Sequence, residues 1–281
     1  MSKPDYTALP AINMEKHPVS PAPDRLMELL NQHQCLYGMI CRDITLTDIE
    51  LMAMAGYHIV WIDLEHSPLT ISAAVRFIRS ITHLGMIPLV RIPELLRTHV
   101  QPLLDGGAQI LALPDVRSAD QAATFVRHGK FPPLGSRGVS TTTASNNFQL
   151  GPDRLQTFQW ANDSTHLMVI FESDEGYDRR EQIIATPGVD LVSVGPMDWS
   201  TTLGLAGSLA NQCLAPKIEQ VLAATRNAGK IPVMPVSSPA DTRPYFDLGV
   251  RIFFTGVDIT LKRKTLIETI QRFQAISHGP K

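Results

Sequence analysis

Residues 58–92 read HIVWIDLEHSPLTISAAVRFIRSITHLGMIPLVRI, and this stretch decides the fold class. Residues 58–63 and 86–91 are short apolar runs without the polar alternation of a half-exposed strand. That is the pattern of parallel strands covered on both faces. Between them, Ile71 to Leu84 carries apolar residues at helical spacing. Gly85 closes it, because glycine accepts the positive φ that turns a helix end into the next strand. Strand, helix and parallel strand make one βαβ unit.

The same alternation extends in both directions. Strands are expected at 36–40, 58–63, 86–91, 109–113, 167–171, 190–194, 231–236 and 251–255. Further helical patterns run from Thr47 to Ala55 before Gly56, and from Thr98 to Leu104 before Gly106 and Gly107. Eight strands alternating with helices imply an α/β fold, either a (β/α)8 TIM barrel or an open doubly wound sheet. The count of eight favours the barrel, as does the clustering of polar residues at strand ends. Residues 1–23 hold five prolines (Pro4, Pro10, Pro18, Pro21 and Pro23) and no sustained apolar period, so they read as a flexible arm. Asp24 can cap a helix whose apolar face includes Leu26, Leu29 and Leu30. One barrel is expected over 24–276, with a short tail at 277–281. The stretch 129–165 is too long for an ordinary connection and ends in a helix-like piece from Asp153 to Ala161. Connections of that length are usually functional or partner-facing.

Composition narrows the function. A formal net charge of -2 over 281 residues provides no electrostatic footprint for nucleic acid or an anionic membrane. The expected partners are small molecules or other protein chains. Three cysteines (Cys35, Cys41 and Cys213), in no C-x-x-C spacing, argue for a reducing compartment. No run approaches the roughly 20 apolar residues of a membrane span. A cytoplasmic protein is expected.

In α/β barrels the active site lies at the C-terminal ends of the strands. The second strand ends in Ile62-Asp63-Leu64-Glu65-His66-Ser67-Pro68 and the third in Val90-Arg91. The fifth ends in Phe171-Glu172, and the sixth runs into Gly195-Pro196-Met197-Asp198. Asp258 follows the eighth. Glu172 and Asp198 come from adjacent strands, so both carboxylates can reach one ion. Hard oxygen donors without cysteine favour Mg²⁺, Mn²⁺ or Co²⁺ over a closed zinc site. Two protein ligands leave positions open for a chelating 2-oxo acid. Alternatively, Asp198 caps the helix that follows it. The Asp63 carboxylate can hold one imidazole nitrogen of His66 and leave the other as a base. Alternatively, His66 is a turn residue and Asp63 binds backbone amides. Arg91 needs an anionic partner if buried, and Asp105 or Glu65 can supply it. It can also face a developing enolate oxygen.

At these residues the chain resembles the HpcH/HpaI aldolase family of class II pyruvate aldolases. The matching segments are Ile62 to Pro68, Pro88-Leu89-Val90-Arg91, Leu104 to Gln109 and Phe131-Pro132-Pro133 with Ser136-Arg137-Gly138-Val139. Phe171-Glu172-Ser173, Val194 to Ser200 and Gly256-Val257-Asp258 complete the set, in family order from about residue 36 to 275. The resemblance implies a barrel whose last helix packs on a neighbouring subunit, commonly in a hexamer built from trimers. It implies that Glu172 and Asp198 bind the divalent metal, and that His66 with Asp63 deprotonates a donor such as pyruvate. Arg91 would stabilise the enolate, and Asp105 would reach a neighbouring active site. Amides near Gly195 and Met197 would receive the substrate carboxylate. In cleavage, a 4-hydroxy-2-oxo acid would break into pyruvate and an aldehyde.

The chain also departs from the family pattern. Ile170 stands where Gln is common, Leu64 where Gly is frequent, and the first strand's Gly38-Met39-Ile40-Cys41 lacks an aromatic. The Ser/Thr/Asn-rich run 140–147 is unusual too. These changes admit a second outcome, a biosynthetic condensing or decarboxylating enzyme that uses the same enolate from oxaloacetate or a related donor. A barrel that binds without catalysis is a third reading. The joint presence of acid, acid, base and arginine weighs against it.

Overall fold

The structure, a computed structural model, describes residues 24–148, 153–205 and 213–277. Eight parallel strands close into a barrel in sequence order, the eighth pairing with the first. They are β1 (Leu36–Cys41), β2 (Ile59–Asp63), β3 (Ile87–Arg91), β4 (Ile110–Leu113), β5 (His166–Phe171), β6 (Leu191–Val194), β7 (Ile231–Pro235) and β8 (Ile252–Val257). The helices are α1 (Arg25–Gln32), α2 (Leu46–Met54), α3 (Ile71–His83), α4 (Arg97–Asp105), α5 (Ala119–Gly129) and α6 (Arg154–Ser164). After β5 come α7 (Asp174–Asp178), α8 (Arg180–Ile184), α9 (Pro196–Thr202), α10 (Leu214–Asn227), α11 (Pro239–Asp247) and α12 (Asp258–Ser277). Each expected strand is present, and its ends differ from expectation by a residue or two.

The strands carry apolar residues on both faces because each face has a separate core to fill. Ile59, Trp61, Leu89, Met168, Ile170 and Phe254 fill the barrel interior. Val60, Ile62, Val90, Val169 and Phe171 face the helical ring. Gly38 on β1 pairs with Phe254 on β8, and a Cβ there would lie 2.4 Å from the Phe254 ring. The glycine thus admits a large ring to the interior.

Asp24 caps α1 as expected, accepting from the Met27 amide at 3.2 Å. It also contacts His166 Nε2 at the start of β5, 2.9 Å away. Leu26 and Leu29 join the interior cluster, so α1 closes the N-terminal end of the barrel and leaves the C-terminal end open. The connection after α5 is tied down by buried Lys130, which donates to the carbonyls of Asn162 and Thr165 and pairs with Asp190.

α12 departs from the pattern of the other long helices. Its apolar residues stand in solvent, with Leu266 70% and Phe273 66% exposed. Its first turns touch β1 and β8, and Lys262 pairs with Asp48 of α2. There Met39, Cys41, Leu51 and Met52 border an apolar groove of about 540 Å³ with Leu261 and Leu266. The arm expected at 1–23 lies outside the described residues, as does the tail beyond Ser277. Among the described residues no helix is long and apolar enough to cross a membrane.

Candidate active site

The open end of the barrel holds a cavity of about 250 Å³. Arg42, Trp61, Arg91, Ile170, Glu172 and Asp198 line it, together with the 195–197 turn and the ends of β7 and β8. Four of the residues singled out by strand-end logic therefore meet there with Gly195 and Met197 at one opening, once Arg91 is joined to the buried Asp63 behind it.

β2 delivers Asp63, fully buried, to the rim. Arg91 on the neighbouring strand is paired with it in register. Its fork reaches both carboxylate oxygens, Nε to Oδ1 at 3.0 Å and an NH2 nitrogen to Oδ2 at 2.6 Å. Arg42 adds a third guanidinium bond, Nε to Oδ2 at 3.0 Å. The amides of Glu65 and His66 donate to Oδ1 at 3.1 and 3.2 Å. Burial by itself would raise the Asp63 carboxyl. The Arg91 fork and charge, then the His66 amide and Arg42, outweigh burial and hold it below the usual carboxylate range. Arg91 spends its remaining arm on Glu65 Oε2 at 2.8 Å.

This arrangement decides between two pairs of alternatives. Asp63 binds the backbone amide of His66, and no bond runs from its carboxylate to the imidazole. Amides two and three residues along a tight turn reach a carboxylate more easily than the ring does. The acid beside the ring is Glu65, 3.8 Å from Nε2, and the His66 side chain is 45% exposed at the rim. Arg91 pairs with Asp63 and Glu65, not with Asp105. Asp105 ends α4, at the closed end of the barrel, where Arg137 at 3.0 Å and Gln101 hold its carboxylate.

Glu172, at the tip of β5, is 6% exposed and lines the cavity beside Asp198. Burial, opposed by Arg91 and reinforced by Glu65, Asp198 and Asp115, pushes its carboxyl up to about 8. Among the described residues no hydrogen bond or ion pair ends on that carboxylate. A buried acid in the field of three others, with no donor of its own, suits a cation. The site needs a glycine at 195, because a Cβ there would sit 2.6 Å from Glu172 Cγ. Asp198 lies in the first turn of α9, whose cap is Gly195, so it is not itself the cap. Among the described residues no group of three or more His, Cys, Asp or Glu is arranged to hold a metal. Among the described residues two carboxylates line the cavity, Glu172 and Asp198, and such a hard oxygen pair fits a hard divalent cation.

In the turn expected to receive an anion, one of the two named amides is already engaged. The Gly195 amide is committed to Phe171 O at 2.9 Å, continuing the β5–β6 ladder. The Met197 amide, in the first turn of α9, has no intrahelical acceptor. Asp258 proves to be a clamp, accepting the amides of Arg42 and Asp43 at 3.0 and 3.1 Å. Arg42 itself was not anticipated, although the strand-end filter finds it directly after β1.

A family model described as HpcH/HpaI aldolase/citrate lyase matches residues 45–264. A protein from Delftia acidovorans named hydroxypyruvate/pyruvate aldolase is 32% identical over 247 residues, covering 88% of this chain and 91% of that one. One from Shigella sonnei, named 4-hydroxy-2-oxo-heptane-1,7-dioate aldolase, is 34% identical over 227 residues, covering 80% and 86%. A solved structure of an HpcH/HpaI aldolase/citrate lyase family protein from Burkholderia cenocepacia superposes with a TM-score of 0.81 at 32% identity. It covers 89% of this chain, which spans 99% of it.

Proposed function

The chain belongs to the HpcH/HpaI aldolase/citrate lyase family, and from that premise we propose a divalent-metal-dependent aldolase acting on 4-hydroxy-2-oxo acids through a pyruvate enolate. One observation carries the reading: Glu172 and Asp198 share a small cavity with Arg91. The two carboxylates would hold the ion. When bound, it would supply Lewis acidity to a chelated 2-oxo acid.

The protein's own groups do the rest. The Met197 amide receives the substrate carboxylate. Arg91, locked by Asp63 and Glu65, presents fixed positive charge where negative charge develops on the enolate oxygen, so the transition state needs no reorganisation. His66 is the base. In cleavage it takes the proton of the 4-hydroxyl, the C3–C4 bond breaks, and the electron pair stays on the pyruvate half. That half then takes a proton at C3. Glu65 is the acid beside the ring, 3.8 Å from Nε2. Asp105 serves a neighbouring subunit's site from the far end of the barrel. The apolar face of α12 and the groove behind β1 support its packing on a second chain, in a trimer or hexamer. The thiols of Cys35 and Cys41, held in no disulfide, favour the reducing cytoplasm.

A coupled assay of pyruvate release from 4-hydroxy-2-oxo acids tests the reading. Release is expected with Mg²⁺, Mn²⁺ or Co²⁺ and is lost on chelation. Full activity after exhaustive chelation, or none with any of the three ions, would overturn it.

A further inference from the structure

Arg42 faces the two acids across the cavity mouth. It follows β1, which lies on the opposite side of the closed barrel from β5 and β6. Its Nε is held by Asp63 at 3.0 Å, but among the described residues no bond reaches its two terminal nitrogens. Its side chain is 35% exposed, whereas that of Arg91 is 7% exposed. The backbone beneath it is fixed. Asp258 takes the amides of Arg42 and Asp43, and Lys262 Nζ donates to Asp43 O at 2.8 Å. Arg42 is therefore a pre-set arm with two free donor ends at a ligand cavity. Around it the wall built by β7, β8 and β1 is apolar, with Pro235, Val236, Val257 and Ile40, and Ser237 as its other polar side chain.

A planar guanidinium with open donors recognises carboxylates by paired hydrogen bonds. The donor half of the substrate occupies the Glu172, Asp198 and Met197 side, and Arg91 is fully engaged. We propose that Arg42 determines acceptor specificity. Its terminal nitrogens receive a carboxylate at the far end of the aldehyde, whose short chain lies against Val236 and Val257. The inference rests on the aldolase reading above and deepens it, by naming the acceptor class as a small aldehyde acid.

The test uses the full chain loaded with Mn²⁺ and follows aldol formation from pyruvate. Two acceptors of equal length are compared, succinic semialdehyde and butanal. Wild type is expected to favour the carboxylate-bearing aldehyde. Arg42→Gln should shrink the ratio of kcat/KM values about 10- to 100-fold, as expected for losing charge-assisted hydrogen bonds, and mainly through KM. Arg42→Lys, which keeps the charge, should restore part of the preference. An Arg42 that merely steadies Asp63 would lower both acceptors alike. An unchanged ratio in Arg42→Gln therefore overturns the assignment while leaving the aldolase standing. No aldol with either aldehyde in wild type overturns the aldolase reading and this inference with it.

Discussion

A carboxyl that is 6% exposed, with Glu65, Asp198 and Asp115 near it, resists ionisation, and burial is the largest cause. Below about pH 8 the metal-free Glu172 is therefore mostly protonated. A cation needs the carboxylate, so binding at neutral pH must expel that proton. The sign follows: affinity rises with pH toward 8, and release fades above it. Calorimetric titration of Mn²⁺ at pH 7 in buffers of different ionisation enthalpy should find close to one proton released per ion. The Glu172→Gln variant should lose both the binding and the proton. Release that does not change between pH 6.5 and 9 would separate Glu172 from the ion. At this scale, residue type at a strand end was readable for Glu172, Asp198 and Arg91. The partners of Asp63 were not, because a D-x-x-H spacing serves a ring bond and an amide bond equally well. Three other donors, two of them from distant segments, took the carboxylate.

Among the elements, the turn between β6 and α9 carries the most constraint. Gly195 has an ordinary negative φ of -105, so alanine is acceptable to the backbone there. What it lacks is room. Its Cβ would fall 2.6 Å from Glu172 Cγ and 2.8 Å from Oε1. Gly195→Ala should therefore fold and keep its strand register while displacing the Glu172 carboxylate. A loss of about 10- to 100-fold in metal affinity is expected, comparable to disturbing groups that orient a ligand. Circular dichroism and metal titration on the same sample check both halves, and wild-type affinity would sink the steric account. The strands and helices themselves were legible, since a barrel strand is apolar on both faces and its helix is closed by glycine. The commitment of the Gly195 amide to Phe171 was not, because it depends on how far the β5–β6 ladder runs.

For the whole molecule, α12 is the outlying part. A 20-residue helix that leaves Leu266, Phe273 and Ile276 in water has buried too little to be stable alone. The groove against β1 and α2 is apolar and lies beside its root. If α12 packs on a second chain, Leu266→Asp together with Phe273→Asp should reduce the solution mass to that of one chain. Sedimentation reads this directly, and a wild-type protein that already sediments as a single chain would refute the oligomer. By itself the sequence determined the eight-stranded alternation, the Asp24-capped first helix, and the acids and arginine at the strand ends. These follow from local periodicity, capping and the one-way direction of βα units. Only tertiary structure decided that Asp63 serves Arg91 and Arg42, that Asp105 lies at the far end, and that Arg42 overlooks the cavity. Each of those depends on which groups from distant strands compete for one carboxylate, and barrel closure sets that competition.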